Sequence, residues 1–441
     1  MEMVLEFLRD VLSQPALLIG IMSCIGLIAL KRPFHKIMTG TLKPILGYLM
    51  LAAGAGVIVS NLDPLGKMIE HGFHITGVVP NNEAIVAVAQ KVLGVETMSI
   101  LVVGLLMNLC IARFTKFKYV FLTGHHSLFM ACLMSAVLGT AGLSGMELIL
   151  VGGFLMGAWS AISPAIGQSY TSKVTDGDEI AIGHFGSLGY YLSAWVAKYV
   201  GKAEDSTEDI EIPEKWGFLR DSTLSTALTM IVFYLIAAFA AGSEFVATLS
   251  GDMSPYLYAV MSAMNFAVGV TIVYSGVRMI LGDLIPAFQG IATKIIPNAI
   301  PAVDCAVFFT YAPTAVVLGF LSSFIGGIIG MLILGAVGGV LIIPGLVPHF
   351  FCGATAGIYG NATGGRRGAA VGAFLNGLAI TFLPALALPV LGQLGFQNTT
   401  FGDADFAVMG LVLGNAYEWV GMAGIYGIVA IAALVLIIPN F

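Results

Sequence analysis

The chain carries little charge for its length. Only 10% of its 441 residues are Asp, Glu, Lys or Arg, and 58% are hydrophobic. A soluble globular protein has about 25% charged residues to keep its surface in water, so that class is excluded. Unbroken apolar runs long enough to cross the hydrocarbon of a bilayer recur, for example at 15–30, 43–60, 97–112, 223–241, 257–281 and 422–440. They predict an all-α polytopic membrane protein, since such runs form helices and not a barrel.

The sequence motifs of soluble chemistry are also missing. There is no GxxxxGK[ST], no GxGxxG after a strand and no triad-like spacing, so we expect no nucleotide binding and no bond breaking by this chain alone. No cofactor and no nucleic-acid partner are expected. The five cysteines lack CxxC spacing and are expected to be buried thiols: Cys24, Cys110, Cys132, Cys305 and Cys352.

Basic residues indicate the orientation of the first helices. The run 15–30 is followed by a basic cluster, 31–36, and lacks a small-residue cleavage site, which favours a retained helix with its N-terminus outside. A second basic cluster, Arg113 with Lys116 and Lys118, follows the run 97–112. Both clusters belong on the cytoplasmic side if 43–60 and 97–112 cross the membrane out and back.

An acidic segment divides the chain nearly in half. Residues 202–222 contain seven of the 25 acidic residues. We expect a solvated connecting loop, and a docking site for a partner protein is compatible with that reading. This segment separates a first predicted repeat, 1–201, from a second predicted repeat, 223–421. The run 422–441 is predicted to be a final transmembrane helix outside both repeats.

The two halves share an order of features. In both halves a proline follows a glycine after 10 residues, and a second proline with an acid close behind it comes 16 residues later in the first half and 15 in the second. These residues are Gly54, Pro64, Pro80 and Glu83 in the first half and Gly276, Pro286, Pro301 and Asp304 in the second. A repeated unit with an odd number of spans produces inverted halves with a binding site between them. The alternative is a coincidence of spacing in a glycine-rich chain.

Asp304 is the only acid between residues 295 and 365, an interval without Lys or Arg. A carboxylate at membrane depth is costly and is a functional candidate, although a cap for the helix after Pro301 is the alternative. Glu83 occupies the corresponding place in the first half, where a helix-start role and a site role are both open. Asn82 adds a neutral donor and acceptor.

Two Gly-His breaks interrupt the apolar sequence and place His125, His126 and His184 among apolar residues. An imidazole donates and accepts hydrogen bonds and titrates near neutral pH. A metal site is not expected, because HxxxH and HxxE spacings are missing. The segment Asn361 to Arg367 is glycine-rich and basic, which suits a phosphate, but its arginines more often mark a cytoplasmic helix end.

Several motifs resemble one known family. They are Phe121-Leu-Thr-Gly-His125, Val174-Thr-Asp-Gly177, Ile182-Gly-His184, Ala302-Val-Asp-Cys305, Tyr311-Ala-Pro-Thr-Ala-Val316 and Leu341-Ile-Ile-Pro-Gly345. In order and spacing they resemble the membrane subunit (EIIC) of the ascorbate-type phosphotransferase system, within the ascorbate and galactitol superfamily.

The resemblance implies a homodimer in the lipid of a bacterial inner membrane. Each protomer would have about 11 transmembrane helices plus re-entrant hairpins, built as two inverted repeats that form a scaffold and a mobile core. The implied function is transport of L-ascorbate, or a related sugar acid or polyol, for phosphorylation by a phosphocysteine on a cytoplasmic EIIB protein, itself supplied by EIIA.

The resemblance also implies a set of substrate-binding residues. They are Asn82, Glu83, His125, His126, Ser127, Leu128, Phe129, His184, Phe185 and Asp304. Asp304 is also the expected catalytic residue, which orients or deprotonates the hydroxyl that is phosphorylated. At Phe185 ascorbate members usually have Gln, so this site lacks one amide donor and acceptor.

Two other functions remain open at this stage. In a proton- or cation-coupled secondary transporter, Asp304 or Glu83 would carry the coupling charge. In a purely structural membrane protein, Asp304→Asn and His125→Ala would leave all uptake unchanged.

Overall fold

The computed structural model describes residues 11, 14–74, 77–78, 80, 82–177, 179–210, 222–392 and 400–438. It confirms the predicted all-α, polytopic class. The helices are α1 (Pro15–Ala29), α2 (Phe34–Phe73), α3 (Asn82–Phe114), α4 (Gly124–Thr140), α5 (Gly145–Thr175), α6 (Ser187–Val200), α7 (Ser222–Ala241), α8 (Ser243–Ser250), α9 (Pro255–Lys294), α10 (Pro313–Ala336), α11 (Leu346–Gly392), α12 (Ala404–Val420) and α13 (Met422–Ile437).

Six of these helices contain segments long and apolar enough to cross a membrane. A seventh span is added if α7 and α8, which meet at a bend of 116°, count as one. Helices α1 and α13 are apolar but shorter. The figure of about 11 transmembrane helices remains a prediction, as do the repeat and domain boundaries.

A first group of helices consists of α1, α2, α7, α8 and α9, which pack on one another. Its centre is the crossing of α2 and α9, which are both 40 residues long; α2 contains two internal prolines and α9 contains one. Glycines meet there in reciprocal pairs: a Cβ on Gly54 would lie 2.8 Å from the carbonyl oxygen of Gly269, and one on Gly47 2.9 Å from that of Gly276. Only residues without a side chain permit this approach of two backbones.

A second group contains α3 to α6 and α10 to α13. At its centre lies a short parallel sheet that the apolar runs did not predict, formed by β1 (Tyr119–Phe121), β2 (Ala181–Ile182) and β3 (Ile300–Val303). Strand β3 is central, with Val120 opposite Pro301 and Ile182 opposite Val303. The pairing satisfies backbone donors and acceptors where the helices are interrupted.

Two isolated bridges repeat this arrangement elsewhere in the second group. Val78 pairs in parallel with Ile342, and Pro80 pairs in parallel with Thr400. The segment before α3 thus lies between the segments before α11 and α12. Likewise, β3 lies between the strands that precede α4 and α6.

Helix α11 is divided by a sharp reversal at Gly364 and Gly365, where the backbone leaves the helical region and Gly365 has a φ of 59°. Gly360 and Gly368 face each other across the turn. The two arms, 346–363 and 366–392, both pack against α10, through Gly319 and Gly326 respectively. The segment that the sequence associated with phosphate or topology is therefore a hairpin turn.

The predicted loop 202–222 is described only as far as residue 210; residues 211–221 lie outside the described part of the chain. Its first part is ordered against the second group: Asn361 accepts a hydrogen bond from the backbone N–H of Thr207 at 2.8 Å. Glu208 accepts hydrogen bonds from the backbone N–H groups of Thr314 and Ala315 at the start of α10. This part of the loop is therefore attached to the helices and is more than a solvated connection.

The cysteine prediction is partly wrong. Cys132, Cys305 and Cys352 are buried, but Cys24 is half-buried and Cys110 is exposed. Cys110 lies on α3 near Arg113, where both residues line a small apolar pocket beside the ends of α1 and α9. A helix surface at that position is not covered by neighbours within the described chain, and an apolar sequence alone does not reveal this.

Candidate functional site

A cavity of about 1130 Å³ lies between the two helix groups. It extends along α2 past Asp63, Lys67 and Glu70 to Phe73. Most of its walls are apolar, and its polar side chains converge at the inner end: Tyr48, Asn82, His125, His126, His184, Asp304 and Asp403. A mainly apolar cavity with a few convergent polar groups is typical of small-molecule sites.

The short strands explain why distant residues meet in this cavity. Chain segments leave the carboxyl ends of the three parallel strands at one edge of the sheet, and His125 follows β1, His184 follows β2 and Asp304 follows β3. Asn82 and Asp403 follow the bridged residues Pro80 and Thr400 in the same way. The backbone pairing, rather than helix packing alone, therefore positions the polar groups.

Asp304 serves both as a cap and as a cavity residue, so the two interpretations of the sequence were compatible. Its Oδ1 accepts a hydrogen bond from the backbone N–H of Ala306 at 3.1 Å, which caps a 3₁₀ helix over Cys305–Thr310. Its Oδ2 lies 3.4 Å from Nε2 of His125. The carboxyl group is 7% exposed, so these contacts offset the cost of burial.

His125 connects Asp304 with the first helix group. Nδ1 of His125 lies 3.2 Å from the hydroxyl oxygen of Tyr48 on α2. Because the side chain of His125 is 39% exposed, one face of the ring is open to the cavity.

His126 and His184 are held by backbone N–H groups. Nδ1 of His126 accepts from the N–H of Phe185 at 3.3 Å, and Nδ1 of His184 accepts from that of Gly186 at 3.1 Å. The hydroxyl of Tyr190 also lies 2.8 Å from Nδ1 of His184. Since a ring nitrogen that accepts carries no proton, each neutral imidazole has its N–H on Nε2. The two rings are thus fixed as hydrogen-bond donors.

Asp403 is a second buried carboxylate in the cavity. Its Oδ2 accepts from Nδ2 of Asn82 at 2.5 Å, and its Oδ1 accepts from the thiol of Cys352 at 2.7 Å. Nδ1 of His184 is 4.0 Å from Oδ1. Asn82 begins α3 and also accepts from the N–H of Gly402 at 2.9 Å. Glu83 is the next residue of α3, and its side chain lies outside the described part.

Asp405, two residues later, has a structural role. It is fully buried and accepts from the hydroxyl of Ser187 at 2.8 Å, the N–H of Leu188 at 2.9 Å and the indole of Trp159 at 3.2 Å. These bonds fix the start of α6, and therefore the position of His184, relative to α12.

The predicted site residues separate into two sets. Asn82, His125, His126, Phe129, His184 and Asp304 line the cavity. Ser127, Leu128 and Phe185 are not among its described lining residues; the ring of Phe185 is fully buried and stacks on Phe121 at a centroid distance of 4.6 Å. The missing amide at this position is replaced by an aromatic packing contact, and substrate contact by these three residues remains a prediction.

Two groups of side chains have the composition of a metal site. His126, His184 and Asp403 have ligand atoms within 4.8 Å of one another, and so do His184, Asp304 and Cys305. A histidine that binds a metal through Nε2 donates its other N–H to an acceptor. Here Nδ1 of His126 and of His184 accepts from a backbone N–H, so the hydrogen bonds do not fit metal ligation and favour donation to a ligand.

Sequence reasoning missed Tyr48 and Asp403 as cavity residues. A signal for Asp403 exists in the sequence, because the polar break at 401–405 resembles the break at 176–184 that ends at His184. Tyr48 lies alone within an apolar run, so the sequence offered no signal for it.

The fold and the cavity define a multi-pass membrane protein with a cavity between two groups of helices, into which several polar side chains converge. The chain belongs to the family of PTS system sugar-specific permease components (EIIC-GAT), whose model matches residues 10–405. It is also similar to the ascorbate-specific PTS system EIIC component of Mycoplasma pneumoniae, with 28% identity over 417 residues. That match covers 81% of this chain and 62% of the relative, so the chain spans less than two thirds of that protein. The family predicted from the sequence motifs is confirmed.

Proposed function

We propose that this chain is the EIIC subunit of a phosphotransferase system that binds L-ascorbate, or a related sugar acid or polyol, in the cavity between the helix groups. A cytoplasmic EIIB protein with a phosphocysteine, supplied by EIIA, phosphorylates the sugar as it is delivered. The observation that carries this proposal is the convergence of His125, His126, His184 and Asp304 in one cavity of a chain that belongs to the permease family.

The polar groups are chemically suited to a polyhydroxylated ligand. The Nε2–H groups of His126 and His184 donate to sugar oxygens, whereas the carboxylates of Asp304 and Asp403 accept from hydroxyl groups. A sugar hydroxyl both donates and accepts, so alternating groups of this kind can satisfy several hydroxyls at once. Asp304 would orient the hydroxyl that is phosphorylated, or accept its proton.

The charge of the cavity bears on which sugar binds. Two carboxylates face it, Asp304 and Asp403, and Lys67 in the wall along α2 is already paired with Asp63 at 2.8 Å. A neutral polyol meets no repulsion there, whereas an anionic sugar acid depends on the histidine donors. Calorimetric titration of the purified protein with ascorbate and with a panel of pentitols and sugar acids distinguishes these ligands.

In this proposal the first helix group acts as the scaffold and the second as a core that moves with the sugar. Two inverted repeats are supported by the reciprocal glycine pairs of α2 and α9 and by the matching parallel bridges. The proposal also includes a homodimer in the bacterial inner membrane, which size-exclusion chromatography with light scattering tests.

The decisive experiment measures uptake in cells with and without the EIIB protein. We expect phosphorylated sugar to accumulate only with EIIB, and Asp304→Asn to abolish it. Asp283→Asn, which removes an ion-pair partner of Lys43 at 3.6 Å in the first group, is the control and should retain uptake. Accumulation of unmodified sugar without EIIB, lost when the proton gradient is dissipated, would instead establish a proton-coupled transporter.

A further inference from the structure

The hydroxyl group of Tyr48 makes a direct polar contact between the two helix groups. Tyr48 belongs to α2 in the first group, and its partner His125 belongs to α4 in the second. The tyrosine is 6% exposed and lies in the wall of the cavity. A hydrogen bond in this position exists only while the two groups are in contact.

The contact also determines which nitrogen of His125 carries the proton. Nε2 of His125 lies 3.4 Å from Oδ2 of Asp304, so the neutral tautomer with its proton on Nε2 directs this N–H toward a carboxylate oxygen, which accepts. Nδ1 then has a free lone pair, and the hydroxyl of Tyr48 donates to it across 3.2 Å. Tyr48 thereby stabilises the tautomer that faces Asp304.

In the other two cavity histidines, the hydrogen bond that determines the tautomer comes from the same helix group. The backbone N–H of Phe185 fixes His126, and that of Gly186 fixes His184, and all four residues belong to the second helix group or its connections. His125 differs because its tautomer depends on a residue of the other group. Movement of one group relative to the other changes the hydrogen bonding of His125 and leaves the hydrogen bonding of His126 and His184 unchanged.

We propose that Tyr48 is a positioning residue that couples the docking of the two helix groups to the state of His125 beside Asp304. While the groups are docked, Tyr48 holds His125 as a donor toward Asp304. When they separate, Nδ1 of His125 becomes free to accept from a sugar hydroxyl. This inference rests on the proposed movement of the second group, but its test does not depend on sugar phosphorylation.

The docked state can be measured by cross-linking at a second contact between the groups. The rings of Phe233 on α7 and Phe324 on α10 pack at a centroid distance of 5.6 Å. A chain with Phe233→Cys and Phe324→Cys should be cross-linked in membranes by a short bifunctional thiol reagent at a rate proportional to the docked fraction. The single substitutions reveal any cross-linking through the native cysteines.

In that background we expect Tyr48→Phe to lower the equilibrium constant for docking about 2- to 10-fold, the range that one hydrogen bond supports, and the cross-linking rate to fall with the docked fraction. His125→Ala should lower it similarly, and the two changes together should have no additional effect, because both remove the same bond. The matched control is Tyr234→Phe, since the hydroxyl of Tyr234 donates to the carbonyl of Asn61 at 2.5 Å within the first group.

An unchanged rate in Tyr48→Phe overturns the proposal, as does an equal fall in Tyr234→Phe or an additive effect of the double change. Measurement of sugar uptake with and without EIIB separates failure of this coupling from failure of the proposed function. If sugar uptake proves independent of EIIB while the cross-linking results hold, the phosphotransferase role is wrong and the coupling by Tyr48 stands. If uptake requires EIIB and Tyr48→Phe leaves the rate unchanged, only the coupling is wrong.

Discussion

The imidazole rings of His126 and His184 lie with their centroids 3.8 Å apart, although they belong to segments separated by the whole of α5. The distance is set by the sheet, because the strands before both histidines pair with β3. The two rings are thus brought together by main-chain hydrogen bonds, and their Nε2–H groups form a pair of donors in the cavity.

Loss of one of these donors should weaken ligand binding. We expect His126→Ala to reduce the affinity for the bound sugar about 10-fold, because a ligand oxygen then loses its partner in a poorly solvated cavity. Calorimetric titration of the purified protein measures this. The control is His349→Ala, which removes a buried imidazole bonded to Ser323 at 2.9 Å and should leave affinity within about twofold. Equal losses in both variants would contradict a direct role.

The crossing of α2 and α9 should depend on its glycines. Gly54→Ala places a methyl group 2.8 Å from the backbone of Gly269, so the helices must separate, and we expect a loss of about 1–3 kcal/mol in stability. Gly56→Ala, on the same helix with no atom within 4 Å, should be neutral or stabilise by up to about 1 kcal/mol. Thermal unfolding in detergent compares the two, and similar midpoints would refute the close packing.

The buried carboxylate of Asp405 should contribute strongly to stability. Asp405→Ala leaves the Ser187 hydroxyl, the Leu188 N–H and the Trp159 indole without their acceptor, at a cost of at least about 3 kcal/mol. Asp405→Asn keeps one acceptor oxygen and should lie between this variant and the native protein. Glu418→Ala, at an exposed position near the end of α12, is the control for the loss of a carboxylate. Thermal unfolding in detergent would rule out the anchoring role if Asp405→Ala unfolds like the native protein.

The loop after α6 should stabilise α10 through Glu208. Its carboxylate accepts from the N–H and hydroxyl of Thr314 and from the N–H of Ala315. Glu208→Ala removes this cap, and we expect a loss of about 0.5–2 kcal/mol in unfolding free energy. Glu204→Ala removes a carboxylate of the same exposed loop and should have no measurable effect. Faster proteolysis of the loop in Glu208→Ala alone would support the attachment.

Much of the site could be predicted from the sequence because polar residues at membrane depth are costly. Asp304 and the three histidines stand out against an apolar background, and all four line the cavity. Asp304 also caps a helix, and Glu83 lies in the first turn of α3, so both occupy the helix-start positions that the sequence predicts. The repeated order of glycine, proline and acid in the two halves remains a prediction.

The remaining features depend on tertiary contacts. Strands of two to four residues have too little periodicity to be distinguished from the apolar runs around them. The burial of Phe185 follows from its stack on Phe121, a contact between two separate segments. Tyr48 resembles any other aromatic residue of a membrane helix until α2 is placed against α4.

The parallel strand pairs and bridges before the helices that line the cavity affect how the ligand specificity of this protein can change. Main-chain hydrogen bonds hold the cavity segments in register, so side chains that make no bond to the backbone of another segment are not needed to keep the segments in place. Substitutions at His125 or Phe129 can alter the pattern of donors and acceptors while the framework persists. If the proposed sugar site is correct, a change of sugar therefore requires only a few exchanges at the strand ends and leaves the fold intact.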